Sequence, residues 1–170
     1  MIIPRLETER LRLREFRESD IDAMATIFAD EDVPRFITPN GQPQDREFAW
    51  RVMTNLTGHW TLRGFGMWAL EEKATGRLVG YAGPNFPETW PGQEIGWTVG
   101  RDFWGKGYAS EAVRKALIYA RDTLKWPRVI HVIDPANLRS IAVAERLGSK
   151  REGEWAWNGK PIHVYGQDLK

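Results

Sequence analysis

A chain of 170 residues with 42% hydrophobic and 28% charged side chains has the size and composition of one soluble globular domain, read here as residues 1–170. Its net charge of +1 supplies no electrostatic reason for nucleic acid or an anionic membrane as partner, which makes a nucleic-acid-binding module the weakest functional reading. The absence of cysteine excludes a disulfide framework, a thiolate metal site and a cysteine nucleophile; with no signal-peptide h-region and no membrane-length apolar run, the expectation is a cytoplasmic protein.

In chain order, Leu11, Leu13 and Phe16 begin an alternating first strand. Ser19 offers an N-cap for a helix through Ile21, Met24, Ile27 and Phe28. Residues 32–43 hold Pro34, Pro39, Gly41 and Pro43 and cannot form a regular element. Asp45 caps a second helix with Phe48, Val52, Met53 and Leu56 on one face. Met67 to Glu71 and Leu78 to Gly83 read as a hairpin turning at Ala74-Thr75-Gly76. A Pro- and aromatic-rich loop, 84–93, leads into a strand at Glu94-Ile95-Gly96-Trp97-Thr98-Val99. After Arg101-Asp102-Phe103-Trp104-Gly105-Lys106-Gly107, a helix runs from Ser110 to Lys125 with a small-residued face of Ala109, Ala112, Val113, Ala116 and Ala120, suited to lying close on a sheet. Val129 to Ile133 is a strand, and Ser140 to Leu147 a helix ended by Gly148. A last hairpin turns at Asn158-Gly159, a type I′ signal. The order β-α-α-β-β-β-α-β-α-β-β is α/β or α+β rather than doubly wound, because three strands come in a row.

The strand, Gly-rich turn and helix around residues 94–125 converge unpaired backbone N–H groups and a positive helix end on one point. Such a place binds anions, and Gly105 and Gly107 let a phosphate approach the backbone; Lys106 adds a point charge at the rim. The run is neither a P-loop, lacking Gly-Lys-Ser/Thr, nor a dinucleotide fingerprint, lacking the third glycine.

Trp104-Gly105-Lys106-Gly107-Tyr108-Ala109-Ser110-Glu111-Ala112 resembles the acetyl-CoA pyrophosphate loop of the GNAT superfamily of N-acetyltransferases, in particular the branch of the ribosomal-protein N-terminal (RimJ/RimL-type) enzymes. Three further segments match in order: Leu6 to Arg14 as the first strand and its lead-in, Gly64 to Leu70 with Gly76 to Gly80 as the central hairpin, and Asn137 to Gly148 as the second cofactor motif. The resemblance implies a GNAT-like fold, a mixed and mostly antiparallel central sheet splayed in the middle and flanked by about four helices. Acetyl-CoA would lie in the opening.

The resemblance also implies site residues. Backbone groups of Trp97, Thr98 and Val99 would pair with the pantetheine arm like an added strand, and Trp104, Gly105, Lys106, Gly107, Tyr108 and Ala109 would hold the pyrophosphate. Asn137 would contact the pantetheine or sulfur end, and Ser140 would hydrogen-bond the departing sulfur; both residues are equally readable as turn and cap residues of the following helix. Acetyl transfer needs a neutral amine, and an alkyl ammonium is mostly protonated at neutral pH, so a general base helps. Glu94 is the candidate base; its plain alternative is a solvated strand-end glutamate.

Two departures from the family pattern stand out. Asp102 replaces a Gln or Arg three residues before the first glycine, so its side chain should point away, with Arg101 a possible compensating cation. Ser149 stands where relatives often carry a large apolar residue, which should loosen packing beneath the final hairpin. His59, His131 and His163 share no metal-ligand spacing, and no metal is expected.

Most of the nine tryptophans should be core or cleft walls; Trp60, Trp90, Trp97, Trp104, Trp155 and Trp157, near loops or strand ends, form a surplus that suggests an aromatic-walled cleft or a subunit contact, with core packing the plainer reading for any one of them. Phe36, Phe86 and Trp90 are the expected acceptor walls, suited to an amine through cation–π attraction. The expected function is direct acetyl transfer from acetyl-CoA to a primary amine of a small molecule or a protein N-terminus; a non-catalytic CoA-binding module is the alternative. The aromatic C-terminal hairpin makes a homodimer possible.

Overall fold

The computed structural model describes residues 2–170. Along the chain run Leu6–Glu7 (β1), Leu11–Arg14 (β2), Ile21–Ala29 (α1), Arg46–Arg63 (α2), Trp68–Glu72 (β3), Leu78–Asn85 (β4), Glu94–Val99 (β5), Tyr108–Asp122 (α3), Arg128–Ile133 (β6), Leu138–Arg146 (α4), Lys150–Trp157 (β7) and Lys160–Asp168 (β8). The eight strands form one sheet in the order β1-β2-β3-β4-β5-β6-β8-β7. Every neighbouring pair is antiparallel except β5 and β6, which are parallel and paired at one position, Glu94 opposite Ile130. The mixed, mostly antiparallel sheet, its splay and its four helices are as expected.

Residues alternate faces along each strand, and the two faces build two cores. Trp68, Leu70, Val79 and Ile95 pack with α3, whose Ala112, Val113, Ala116 and Ala120 are fully buried. Four small side chains at helical spacing let the α3 backbone approach the sheet, so Ala116→Leu would overpack it by about 1–3 kcal/mol. On the other face Met67, Ala69 and Tyr81 pack with α1 and α2 through Met24, Ile27, Phe28 and Met53. Trp60 follows the plainer reading and is core: it lies edge-on to Trp68 at 5.1 Å and donates its indole N–H to Met67 C=O at 2.9 Å.

Local signals set most boundaries. The Asp45 carboxylate accepts the Phe48 N–H at 2.8 Å, capping α2 as expected. Gly148, with φ 98°, follows α4 in the left-handed region, and Asn158 and Gly159 both take positive φ in the β7–β8 turn. Ser19 is not the cap of α1. A short turn over Glu18–Asp20 precedes the helix, and Asp20 is claimed by Arg14, whose guanidinium donates to both its oxygens at 2.7 and 2.8 Å. The third helix begins at Tyr108 rather than Ser110 and ends at Asp122, and beyond it Lys125 takes φ 57°.

Candidate active site

Gly105 and Gly107 hold φ of 74° and 80°, conformations that side chains with a Cβ avoid. They turn the chain so that α3 starts without a side-chain cap; its first intrahelical bond is Glu111 N–H to Gly107 C=O. The N–H groups of Tyr108, Ala109 and Ser110 are therefore left for a ligand. Arg10 braces the loop from the strand side. It donates to Lys106 C=O at 2.8 Å, pairs with Glu111 at 2.7 Å and stacks 4.5 Å from the Tyr108 ring centroid.

A cleft of about 370 Å³ opens at this helix end, lined by Trp97, Thr98, Val99, Trp104, Gly105, Gly107, Tyr108, Ala109, Asn137 and Ser140 among others. Of the expected cofactor residues only Lys106 stays off its wall, with Nζ over the Phe103 ring at 5.1 Å. Asp102 points away, reaching Arg77 at 3.5 Å, and Arg101 is spent on Asp32 at 2.9 Å rather than serving the loop. The cations on the cleft wall are Arg139 and Arg146. Arg139 lies 3.5 Å from the Trp104 ring centroid, and Arg146 donates to the Ser110 hydroxyl at 3.3 Å. Sequence reasoning missed both. Their spacing with Val143, i, i+4 and i+7 along α4, was the available signal.

Backbone groups alternate sides along β5. Gly100 N–H bonds Val79 C=O toward β4, whereas Ile95 C=O faces β6 and accepts from His131. Trp97 and Val99 share the parity of Ile95, so their N–H groups face the opening. Thr98 has the other parity: it lines the cleft, but its backbone turns to β4, opposite Tyr81, and away from the opening.

A second cavity, about 220 Å³, adjoins the first and shares Phe36, Ile37, Trp97, Thr98, Asn137 and Ser140 with it. Glu94 stands on its wall and is only 5% exposed, so the solvated alternative is wrong. Its Oε2 accepts from Asn85 Nδ2 and Trp90 Nε1, both at 2.8 Å, and its Oε1 accepts the Val132 N–H at 3.2 Å. Burial pushes the carboxyl up to about 7, against the three donors, which favour the charged form. Such a group exchanges protons readily near neutrality. Tyr81 shares the wall but is no base: burial holds its phenol at about 12 despite a hydrogen bond with Thr98.

Asn137 caps α4 as expected and also stands on the cavity walls. Its Oδ1 accepts the Ser140 N–H at 3.2 Å, capping α4, while the residue lines both cavities. Ser140 lies beside it on the shared wall. Phe36 and Trp90 line the second cavity, but Phe86 does not. Its N–H donates to His59 Nε2 at 3.2 Å and its ring sits under Arg63, so α2 claims it. Trp90, Trp97, Trp104, Trp155 and Trp157 all line one or both cavities, which accounts for the tryptophan surplus as a cleft wall.

Ser149 does not loosen the hairpin. It is buried and accepts from Gln167 Nε2 at 2.7 Å, and its hydroxyl lies 3.0 Å from His131 Nε2. His131 Nδ1 donates to Ile95 C=O at 2.7 Å, which leaves Nε2 to accept from Ser149. Burial pulls this imidazole down to about 4, so it is neutral.

Residues 10–150 match the family described as the acetyltransferase (GNAT) domain. The chain is 34% identical to YkkB of Bacillus subtilis over 95% of its length and 94% of that protein. The ribosomal protein uS5-alanine N-acetyltransferase of Escherichia coli is 27% identical, over 88% of this chain and 79% of that one. A crystal structure of an acetyltransferase from Agrobacterium tumefaciens superposes with TM-score 0.84 at 33% identity, covering 98% of this chain and 95% of the other.

Proposed function

This chain belongs to the GNAT acetyltransferase family, and from that membership we propose that Glu94 is the base with which it moves the acetyl group of acetyl-CoA onto a primary amine. The observation that carries the assignment is the position of Glu94, a buried carboxyl on the wall of an aromatic cavity that adjoins the cleft at the start of α3.

The residues of the cleft fit acetyl-CoA. Three unpaired N–H groups at the start of α3 and the guanidinium groups of Arg139 and Arg146 suit a diphosphate. The Trp97 N–H and C=O suit the amide-bearing arm, which would add to β5 as a further strand. Bound there, acetyl-CoA supplies the thioester carbon. Glu94 takes the ammonium proton so that the amine lone pair is free; the N–C bond forms as the C–S bond breaks. The second nitrogen proton leaves as the amide forms, and Ser140, on the wall common to both cavities, would relay a proton to the departing sulfur and recover its own from that nitrogen. Asn137 holds the start of α4, and so Ser140, in place. A non-catalytic CoA-binding module would have no use for a carboxyl buried at considerable cost in the adjoining cavity.

The acceptor is a small-molecule amine or, as the name of the Escherichia coli relative suggests, a protein N-terminus. The reading takes residues 1–170 as one domain acting in the cytoplasm, where acetyl-CoA is made and used. Among the described residues no helix is long and apolar enough to cross a membrane. It needs no second copy of the chain, since Trp155 and Trp157, on which a dimer contact would rest, line the acceptor cavity.

The test is thiol release from acetyl-CoA across an amine panel, with Glu94→Gln and Ser140→Ala beside the parent. Loss of the general base should lower kcat by about 10²-fold or more, and loss of the serine hydroxyl by less. If both variants keep the parent rate, the catalytic assignments fail.

A further inference from the structure

The second cavity is walled by Trp90, Trp155, Trp157, Met67 and Phe36 among others, and among the described residues no lysine or arginine lines it. Trp155 and Trp157 sit two residues apart on β7 and so project on the same side, while Glu154 before them and Ala156 between them are exposed. Trp155 meets Trp90 edge-on at 4.8 Å. Trp90 in turn gives its indole N–H to Glu94 at 2.8 Å, so one aromatic wall continues directly into the base.

Resting on the N-acetyltransferase reading, we infer that the acceptor is a compact primary monoamine carrying a flat apolar group and no anionic group, of the arylalkylamine kind. Three features select it. An apolar cavity of about 150 Å³ accommodates a benzene ring; at about 220 Å³ this one has room for a ring and a short aminoalkyl arm. An acceptor with a carboxylate or phosphate, such as a free amino acid or a phosphorylated amino sugar, would bring a charge that no cation on the wall can pair. A polyamine would bury a second ammonium in a cavity of this size and bring no flat ring to its aromatic wall. The other carboxylate on the wall, Asp134, comes two residues after Val132, whose N–H Glu94 accepts, and it already accepts the Ala136 N–H.

The reacting nitrogen is then placed at Glu94 and the ring against the wall that Trp90, Trp155 and Trp157 form. Indole walls favour flat rings by stacking and edge contacts, and they exclude water from the carboxyl as the ring enters.

The experiment compares 2-phenylethylamine with L-phenylalanine, which differs by one carboxylate, with spermidine and with an alanine-initiated tetrapeptide. Two readouts are taken on the whole chain: kcat/KM by thiol release, and calorimetric binding of each amine to the CoA-saturated protein. The expected result is a kcat/KM for 2-phenylethylamine about tenfold or more above each comparator. Its binding should weaken about tenfold in Trp155→Ala and in Trp157→Leu, with acetyl-CoA affinity unchanged, which also shows both variants to be folded. A higher kcat/KM for spermidine, phenylalanine or the peptide overturns the inference and leaves acetyl transfer standing. Failure of 2-phenylethylamine to bind overturns it equally. Binding that is lost in the tryptophan variants, with no amine acetylated, upholds the cavity's ligand class and removes the catalytic assignment instead.

Discussion

Glu94 Oε1 accepts the Val132 N–H at 3.2 Å across the opening between β5 and β6. On the same stretch His131 Nδ1 donates to Ile95 C=O at 2.7 Å. Ile130 N–H already bonds Gln93 C=O, and in a continued parallel ladder Val132 N–H would next bond Ile95 C=O. Each of these groups is satisfied instead by a side chain from the facing strand. The strands part without orphaning either, and the candidate base is also a strut of the cleft it serves.

This double role gives Glu94 a signature in stability. Its carboxyl is raised from 4.5 to about 7 in the fold, so the native state holds the proton more tightly than the unfolded chain. The contribution is fully present below pH 4.5 and is lost as pH rises through 7, by about 3 kcal/mol in all. Glutamine does not titrate. Urea unfolding at pH 4.5 and pH 8 should show the parent losing about that much more than Glu94→Gln over the interval. Equal slopes for the two proteins would remove the raised carboxyl from the account.

The rate should follow the same group in the opposite sense. A base must be ionised, so kcat/KM should climb with pH along a limb centred near 7. Trp90→Phe keeps an aromatic wall but deletes one N–H that favours the carboxylate. The limb should then move to higher pH. A purely structural role for Trp90 would lower the rate at all pH values and leave the limb in place.

Local signals in the sequence carried the helix end and its glycine turn, because Gly105 and Gly107 fix that backbone by themselves. They also carried the position of Glu94 at the mouth of a strand. Its burial was not legible, since the donors come from residues 85, 90 and 132 and no window of sequence holds all three. Ser149 was misread for the same reason: its partners, His131 and Gln167, lie on two other strands. Ser19 was preferred as a cap because cap chemistry is local, whereas the ion pair that draws Asp20 to Arg14 is tertiary. Phe86 has the right residue type in the right loop, but α2 intervenes.

Arg139 should report on the cofactor alone. Its guanidinium stacks on Trp104 over the cleft, so Arg139→Ala should raise the KM for acetyl-CoA about tenfold, the scale of one charge-assisted hydrogen bond, and leave the acceptor KM unchanged. Asp102→Ala is the control. That side chain is exposed and pairs with Arg77, so its removal should change neither constant. An Asp102→Ala effect as large as that of Arg139→Ala would contradict the orientation of both.

Ser149→Ala tests the buried polar chain beneath the last hairpin. Deleting the hydroxyl leaves His131 Nε2 and Gln167 Nε2 without their partner and should cost about 1–3 kcal/mol in urea unfolding. Ser149→Leu should cost more, because it overfills the site and leaves the same groups unsatisfied. A Leu variant more stable than the parent would mean that the hairpin can repack without the chain.

The largest single effect on folding is expected far from the cleft. Arg14 and Glu71, 2% and 7% exposed, meet at 2.6 Å, and Arg14 also grips Asp20 while Arg12 reaches the second oxygen of Glu71. Desolvation works against the Glu71 charge, but the hydrogen bonds from Arg14 and then Arg12 overcome it, and the carboxyl is held below its ordinary 4.5. Glu71 therefore stabilises the fold above that value, and the contribution is lost as pH falls below it. Glu71→Gln leaves a buried guanidinium short of one charge and should cost about 3–5 kcal/mol at pH 7. In acid the parent's Glu71 is protonated too, so the gap between the two proteins should narrow. A gap that stays constant from pH 7 into acid would mean that the carboxylate charge contributes nothing, and that shape and hydrogen bonding alone hold β2 to β3.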